Sequence, residues 1–196
     1  MSEGTPLIRE DVQGFLALVN SLPAPERLDP EEQRAGYLGL KAMTEADPRP
    51  MAVIKDLTCP GPAGDIPVRF YDVRESRDPS PVVLFFHGGG FVIGDLDTHN
   101  SLCTELSAEL DLPVLAVHYS LAPEHPFPAA PDDCEAAARW LAASPAELGR
   151  TVTGLVTIGG SAGGNLATVT ARALIDRPAA APMVLQVLLY PATDES

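Results

Sequence analysis

The pattern of apolar residues divides the chain into a short N-terminal part with helical spacing and a longer part with compact apolar runs. Between Leu7 and Leu22, apolar side chains recur three and four positions apart, which predicts an amphipathic helix that Pro23 and Pro25 end. A second helix is predicted to begin at Asp29-Pro30, with proline at the first helical position and acids in the first turn, and to run to about Glu45.

From Met51 the pattern becomes that of a layered domain. Two strands are predicted at 53–58 and 66–73, joined by a turn rich in proline and glycine. Unbroken apolar runs follow at 82–86, 114–117, 155–158 and 184–189. Runs of this length are typical of strands buried on both faces, although buried helix segments are the alternative. Helix-like stretches alternate with them at about 98–110, 131–143 and 162–175. The alternation predicts an α/β fold with a mostly parallel sheet flanked by helices.

Composition and charge exclude several classes of function. The 196 residues suffice for one domain. The net charge of −14 repels phosphate backbones and anionic lipid surfaces. We therefore expect neither a nucleic-acid partner nor a membrane partner, and no apolar run reaches the roughly 18–20 residues of a membrane helix. The first residues show no basic end followed by an apolar core, so we expect no secretory signal. Three widely spaced cysteines predict neither a disulfide framework nor a zinc site and favour the cytoplasm: Cys59, Cys103 and Cys134.

A serine lies in a glycine-rich turn after the third apolar run. Residues 159–163 read Gly-Gly-Ser-Ala-Gly and match G-x-S-x-G between a predicted strand and a predicted helix. Such a turn strains the serine backbone and exposes its Oγ, while the helix N-terminus adds partial positive charge where negative charge develops. The pattern predicts that Ser161 is a nucleophile, and a purely structural turn is the alternative.

Three consecutive glycines follow the first of the apolar runs. Glycine is costly in chain entropy, so three in a row need a reason, and one is that unhindered N–H groups can point at a ligand oxygen. A loop of the His-Gly-Gly-Gly type donates to an oxyanion hole together with the amide that follows the serine. We therefore predict Gly88, Gly89 and Ala162 as donors, and a tight glycine turn without a ligand is the alternative. His87 precedes the donors, so it is predicted to brace the loop and not to act as a base.

These motifs resemble those of the hormone-sensitive-lipase-like family of α/β-hydrolase esterases. Segment 86–100 (FHGGGFVIGDLDTHN) is similar to that family's oxyanion segment, and 159–167 (GGSAGGNLA) is similar to its elbow. Segment 118–134 (HYSLAPEHPFPAAPDDC) resembles its central block, and 189–191 (LYP) resembles the end of its next strand. The similarity covers roughly residues 53–194, so the resemblance implies an α/β-hydrolase fold.

The resemblance also implies an activity, which is hydrolysis of short- to medium-chain carboxylic esters through an acyl-enzyme, without metal or cofactor. Carried over to this chain, Ser161 attacks the ester carbonyl. The oxyanion donors and the residues that support their loop are then Gly88, Gly89, Ala162, His87 and Gly90. Glu124 and Asp133 either brace the central block by hydrogen bonding or are merely solvated or capping acids.

Two positions depart from the resembled family. Gly160 precedes the nucleophile where an acidic residue or threonine is usual, and Ser120 occupies a position where arginine is usual. The loss of these polar groups weakens local bracing without removing the nucleophile. The N-terminal helices occupy the place of the family's cap, so residues 1–48 are predicted to form a cap and residues 49–196 the hydrolase core.

The sequence assigns neither a base nor an acid to Ser161. The order in α/β-hydrolases is serine, then aspartate or glutamate, then histidine, whereas the four histidines all precede Ser161: His87, His99, His118 and His125. Asp194 follows its strand at once, too early for that family's triad acid. We therefore expect that the triad acid and histidine are not in this chain, and that the hydrolase core is truncated after the strand ending near Tyr190.

Three explanations of the absent base remain open. The chain is a fragment of a longer enzyme, another chain supplies the missing part, or catalysis is lost and a ligand pocket is kept, as in plant gibberellin receptors, which resemble the same family. We favour the first two, because the motif loops are intact and a bare apolar strand edge is an aggregation hazard. The expected partners are a small ester and either a complementing C-terminal segment or a second copy of the chain. A dinucleotide-binding domain is disfavoured, since no G-x-G-x-x-G follows the first strand.

Overall fold

Strands and helices occur in the predicted order in a computed structural model, which describes residues 8–21 and 29–193. The helices are α1 (Glu10–Ser21), α2 (Pro30–Thr44), α3 (Asn100–Leu110), α4 (Ala129–Ala142) and α5 (Ala162–Asp176). The strands are β1 (Val53–Pro60), β2 (Asp65–Asp72), β3 (Ser80–Phe86), β4 (Val114–Val117), β5 (Val152–Gly160) and β6 (Met183–Leu189). Pro23 and Pro25, predicted to end the first helix, lie outside the described residues.

The six described strands form one sheet in the order β1-β2-β4-β3-β5-β6. The β1–β2 and β2–β4 pairs are antiparallel, whereas β4, β3, β5 and β6 run parallel to one another. The predicted mostly parallel sheet is therefore confirmed. Phe86 at the end of β3 pairs with Gly159 near the end of β5. This register brings the glycine loop after β3 next to the turn that carries Ser161.

The core lies on both faces of the sheet, as the unbroken apolar runs predict. Along β3, Leu84 and Phe86 belong to one buried cluster, which also contains Leu166 of α5. Val83 and Phe85 point to the other face and join a second cluster with Cys103 of α3. Successive side chains of a strand point to opposite faces, so a strand covered on both sides needs no polar alternation.

The apolar run of β6 is typical of a strand buried on both faces, but β6 is the bare apolar edge that the predicted truncation leaves. Val184 and Leu185 are 53% and 56% exposed, although their side chains are as apolar as those of β3. The physical reason is position, because β6 pairs with β5 on one side and forms the edge of the described sheet. Hydrophobicity identified the strand but did not determine its place in the sheet.

The N-terminus of α2 confirms the predicted start of this helix. Asp29 accepts a hydrogen bond from the Glu32 amide (2.9 Å), and Glu32 accepts one from the Asp29 amide (3.2 Å), while Pro30 is the first helical residue. Helix α1 is amphipathic as predicted, but its apolar side chains are nearly half exposed; Phe15, for example, is 46% exposed. No helix within residues 8–21 and 29–193 has the length and apolar character needed to cross a membrane.

A buried ion network fixes the end of β2. Asp72 is fully buried and pairs with Arg77 (2.8 Å) and Arg150 (2.9 Å). Burial alone would raise the pKa of Asp72, but hydrogen bonds from Arg77, the Arg74 amide and Arg150 outweigh it and lower that pKa. The ionised carboxylate therefore holds three segments of chain together.

Candidate active site

Ser161 lies between β5 and α5 with the strained backbone that the sequence predicts. Its φ is 52° and its ψ is −119°, a region that residues with a side chain rarely occupy. Neighbouring backbone holds this conformation, because the Ser161 amide donates to the Leu189 carbonyl (3.0 Å) and its carbonyl accepts from the Ala192 amide (3.1 Å). The end of β6 therefore fixes the turn from the side. Ser161 as a whole is only partly buried.

Two glycines of the motif allow the turn to pack directly against β3. A Cβ atom on Gly163 would lie 2.1 Å from the Phe86 carbonyl oxygen. One on Gly159 would lie 2.2 Å from the Gly163 carbonyl oxygen. Both distances are far below van der Waals contact, and the opposing atoms are backbone. Any side chain at these positions would therefore separate the start of α5 from the end of β3.

The glycine loop after β3 lies against the serine turn. A Cβ atom on Gly88 would be 3.0 Å from the Gly160 carbonyl oxygen and 3.8 Å from Ser161 Cβ. Among the described residues, the N–H groups of Gly88 and Gly89 donate to no other group. Ala162 is the first residue of α5, where an amide has no carbonyl partner within the helix. Three N–H groups near Ser161 are thus free to donate to a ligand.

The loop can follow this path because of its glycines. Gly89 has a φ of +127°, and a Cβ there would lie 2.1 Å from the Ile93 carbonyl oxygen. Gly90 has a φ of +60° and Phe91 a φ of 63°, so two consecutive residues adopt the left-handed region. The Gly89 carbonyl accepts hydrogen bonds from the amides of Val92 (3.0 Å) and Ile93 (2.9 Å), which closes a tight turn.

His87 is buried beneath the loop. Its Nδ1 donates to the Gly88 carbonyl (2.8 Å), and the Tyr119 hydroxyl donates to the His87 carbonyl (2.8 Å). The two rings stack with centroids 4.3 Å apart. Burial lowers the pKa of His87 to about 3, so the imidazole is neutral at ordinary pH. The sequence did not single out Tyr119, although it lies in the quoted central block.

Two other histidines lie beside His87. His99 stacks on His87 with centroids 5.6 Å apart, and His118 lies 6.2 Å from it on the same measure. Burial is the main cause that lowers the pKa of both His99 and His118. Within the part of the chain that the structure describes, Ser161 Oγ forms no hydrogen bond with a histidine. Asp194 lies outside the described residues.

The two acids of the central block are both hydrogen-bonded. Asp133 is buried and accepts from the Ser120 amide (2.9 Å), which favours bracing over the alternative of a solvated or capping acid. Glu124 instead pairs with Arg34 of α2, through Nη1 (2.9 Å) and Nη2 (2.7 Å). Apart from its position on α2, nothing in the sequence indicated a role for Arg34. A cavity of about 580 Å³ lies between these groups, and Ser161 does not line it.

Gly160 and Tyr190 form a second feature that the motifs did not reveal. A Cβ atom on Gly160 would lie 3.2 Å from the Tyr190 hydroxyl oxygen, so the tyrosine ring covers the glycine beside the nucleophile. Among residues 8–21 and 29–193, no set of three or more histidine, cysteine, aspartate or glutamate side chains has an arrangement that could hold a metal ion.

Comparison with known proteins agrees with this geometry. A family model described as alpha/beta hydrolase fold matches residues 83–196. Carboxylic ester hydrolase LipN of Mycobacterium tuberculosis is 42% identical over 161 residues, which cover 79% of this chain and 43% of LipN. Ethyl acetate hydrolase of Pseudomonas putida is 37% identical over 201 residues, which cover 96% of this chain and 62% of that protein.

A solved structure shows the same arrangement of elements. The hyperthermophilic esterase from the archaeon Pyrobaculum calidifontis superposes with a TM-score of 0.85 at 34% identity, and the match covers 94% of this chain and 59% of the esterase. This chain thus spans less than two thirds of the length of each of these relatives. On its motifs, its sheet and these similarities, the chain belongs to the α/β hydrolase fold family and, within it, to the hormone-sensitive-lipase-like esterases.

Proposed function

We propose that this chain contributes the nucleophile and the oxyanion donors of a serine carboxylesterase. The observation that carries the proposal is the strained Ser161 at the start of α5, with the free amides of Gly88 and Gly89 beside it. The proposed substrates are short- to medium-chain carboxylic esters. A relative named ethyl acetate hydrolase, which matches 96% of this chain, supports that substrate class.

In the proposed reaction, Ser161 Oγ forms a bond with the ester carbonyl carbon and its proton passes to a base. The carbonyl oxygen becomes an oxyanion, which accepts hydrogen bonds from the amides of Gly88, Gly89 and Ala162. Loss of one such donor typically costs about 2.7–4 kcal/mol of transition-state stabilisation. Collapse of the intermediate breaks the bond to the alcohol, which takes up a proton, and water then releases the acid from the serine. His87 and Gly90 hold the loop in shape.

The base and the acid of the triad are proposed to come from outside these 196 residues. Serine is a weak nucleophile without an adjacent base, and none of the described histidines is hydrogen-bonded to Ser161. His87 is an unsuitable base because its pKa is lowered to about 3. A downstream part of a longer protein, or a complementing chain, would supply both groups, and the exposed edge of β6 is a candidate place for it to pair.

The proposed domain arrangement assigns a cap to residues 1–48 and the hydrolase core to residues 49–196. The exposed apolar side chains of α1 agree with a cap that closes over a ligand. We further propose a reducing, cytoplasmic location, which is supported by three buried cysteines without disulfide partners: Cys59, Cys103 and Cys134. Pairing of two copies through β6 is the alternative use of that edge.

Turnover of p-nitrophenyl acetate and butyrate tests the proposal. The protein encoded by the complete reading frame containing this sequence is expected to hydrolyse both, and Ser161→Ala is expected to lower kcat by at least about 10³-fold. The 196 residues alone are expected to turn over little or no ester. A complete protein that is inert, with Ser161→Ala changing nothing, contradicts the proposal.

The second candidate function is non-catalytic binding of a small ligand on an esterase scaffold. It is favoured by one observation, the absence of a histidine bonded to Ser161 among the described residues. This alternative predicts ligand binding that survives Ser161→Ala and no hydrolysis at any chain length. Reading the coding sequence past Ser196 distinguishes the two, because an in-frame aspartate followed by a histidine favours the enzyme.

A further inference from the structure

The side chain of Arg34 joins helix α2 to two loops, the loop after β3 and the loop after β4. Its Nε donates to the Val92 carbonyl (2.8 Å), and its Nη2 donates to the Ala122 carbonyl (3.1 Å). Its Nη1 and Nη2 also bind both carboxylate oxygens of Glu124. The Arg34 side chain is 28% exposed and its pKa is raised, chiefly by the hydrogen bond with Glu124. A single side chain therefore binds three points on two loops.

The first of these loops carries the proposed donors. Val92 donates its amide to the Gly89 carbonyl, so a hydrogen bond on the Val92 carbonyl holds the turn that follows Gly89. The second loop is tied to the first, since the Ala122 amide donates to the Phe91 carbonyl (2.8 Å). Arg34 links the two loops at this junction, because its side chain binds the carbonyl groups of both Val92 and Ala122.

The junction needs such support because its backbone is strained. Phe91 adopts a φ of 63°, which a residue with a large side chain keeps only when its surroundings determine it. A relaxed turn would change the directions of the free N–H groups of Gly88 and Gly89. Those groups act only when they lie within hydrogen-bond distance of a developing oxyanion, so small displacements matter.

We propose that Arg34 is a positioning residue, which holds the turn at residues 89–93 and thereby aims the amides of Gly88 and Gly89 at the oxyanion. The inference rests on the proposed esterase function. Lysine keeps the charge but lacks the planar fork of donors that reaches two carbonyls and a carboxylate together. Arg34→Lys therefore separates the role of geometry from that of charge.

Steady-state kinetics of the complete-reading-frame protein provides the first test. Arg34→Lys is expected to lower kcat about 10- to 100-fold on p-nitrophenyl butyrate with KM changed less than about threefold, because oxyanion donors act mainly in the transition state. The matched control is Arg139→Lys, at a similarly exposed arginine (33%) that donates to Glu135 and the Arg177 carbonyl, away from the loop. It is expected to leave kcat unchanged. An Arg34→Lys protein with parental kcat, or one in which only KM rises, overturns the inference.

Hydrogen exchange provides the second test and separates the two proposals. In Arg34→Lys, peptides covering residues 87–94 are expected to exchange faster than in the parent and in Arg139→Lys, while peptides from the core strands are unchanged. Faster exchange in a protein that hydrolyses no ester would support the positioning role of Arg34 and refute the proposed esterase function. Unchanged exchange at residues 87–94 refutes the positioning role of Arg34 whatever the turnover.

Discussion

Replacing Gly163 with alanine tests the packing that places Ser161. The new Cβ would lie 2.1 Å from the Phe86 carbonyl oxygen and 2.6 Å from the His87 carbonyl oxygen, more than 1 Å and nearly 1 Å short of ordinary contact. Both opposing atoms belong to backbone, and Phe86 is also paired with Gly159 in the sheet. Overpacking typically costs about 1–3 kcal/mol where side chains can adjust. Because backbone must move here, we expect a loss of about 3 kcal/mol or more in unfolding free energy.

Urea denaturation followed by far-UV circular dichroism measures this loss as a lower midpoint at unchanged slope. The matched control is Gly36→Ala on α2, where a Cβ meets no atom within 4 Å. That change is expected to stabilise by about 0.5–1 kcal/mol, because alanine is the better helix former. The same chemical substitution should thus act with opposite sign at the two sites. A Gly163→Ala protein that is as stable as the parent would contradict the close packing described between α5 and β3.

Two further predictions concern stability. Asp72→Ala leaves Arg77 and Arg150 without their buried partner. We therefore expect it to lower the unfolding free energy, measured by urea denaturation, by about 3–5 kcal/mol. A decrease below about 1 kcal/mol would contradict the ion network. Because the pKa of His87 is lowered to about 3, the unfolded chain binds a proton there below pH ~6.5 that the folded chain does not. Stability should therefore fall as pH decreases from about 6.5 towards 3, and His87→Gln should make that fall less steep by up to about 1.4 kcal/mol per pH unit. An unaltered slope in thermal or urea unfolding across that range refutes a buried, neutral His87.

Elements whose sequence signal lies within a few adjacent residues could be predicted from the sequence. The run 114–117 corresponds to β4, and the G-x-S-x-G turn gave the strained Ser161 because strand, glycine and helix start are adjacent in the chain. The capped start of α2 followed from four consecutive residues for the same reason.

Features that depend on which segments meet in space could not be predicted in this way. The composition of the run 184–189 alone indicates a strand buried on both faces, and only the expected truncation after Tyr190 indicated the bare sheet edge that the structure shows. Arg34 is one of several polar residues on α2, and its partners are 58 to 90 positions away in the chain. Tyr190 covers Gly160 only because β6 runs beside β5.

The account depends most on Ser161 as a nucleophile. The direct measurement is peptide mapping by mass spectrometry after the complete-reading-frame protein reacts with a diethyl organophosphate, alongside p-nitrophenyl butyrate turnover. We predict one stoichiometric phosphoryl adduct, on Ser161, with loss of hydrolysis in the same proportion, and neither adduct nor turnover in Ser161→Ala. An adduct on another residue that abolishes hydrolysis, or hydrolysis that persists in Ser161→Ala, would contradict the account.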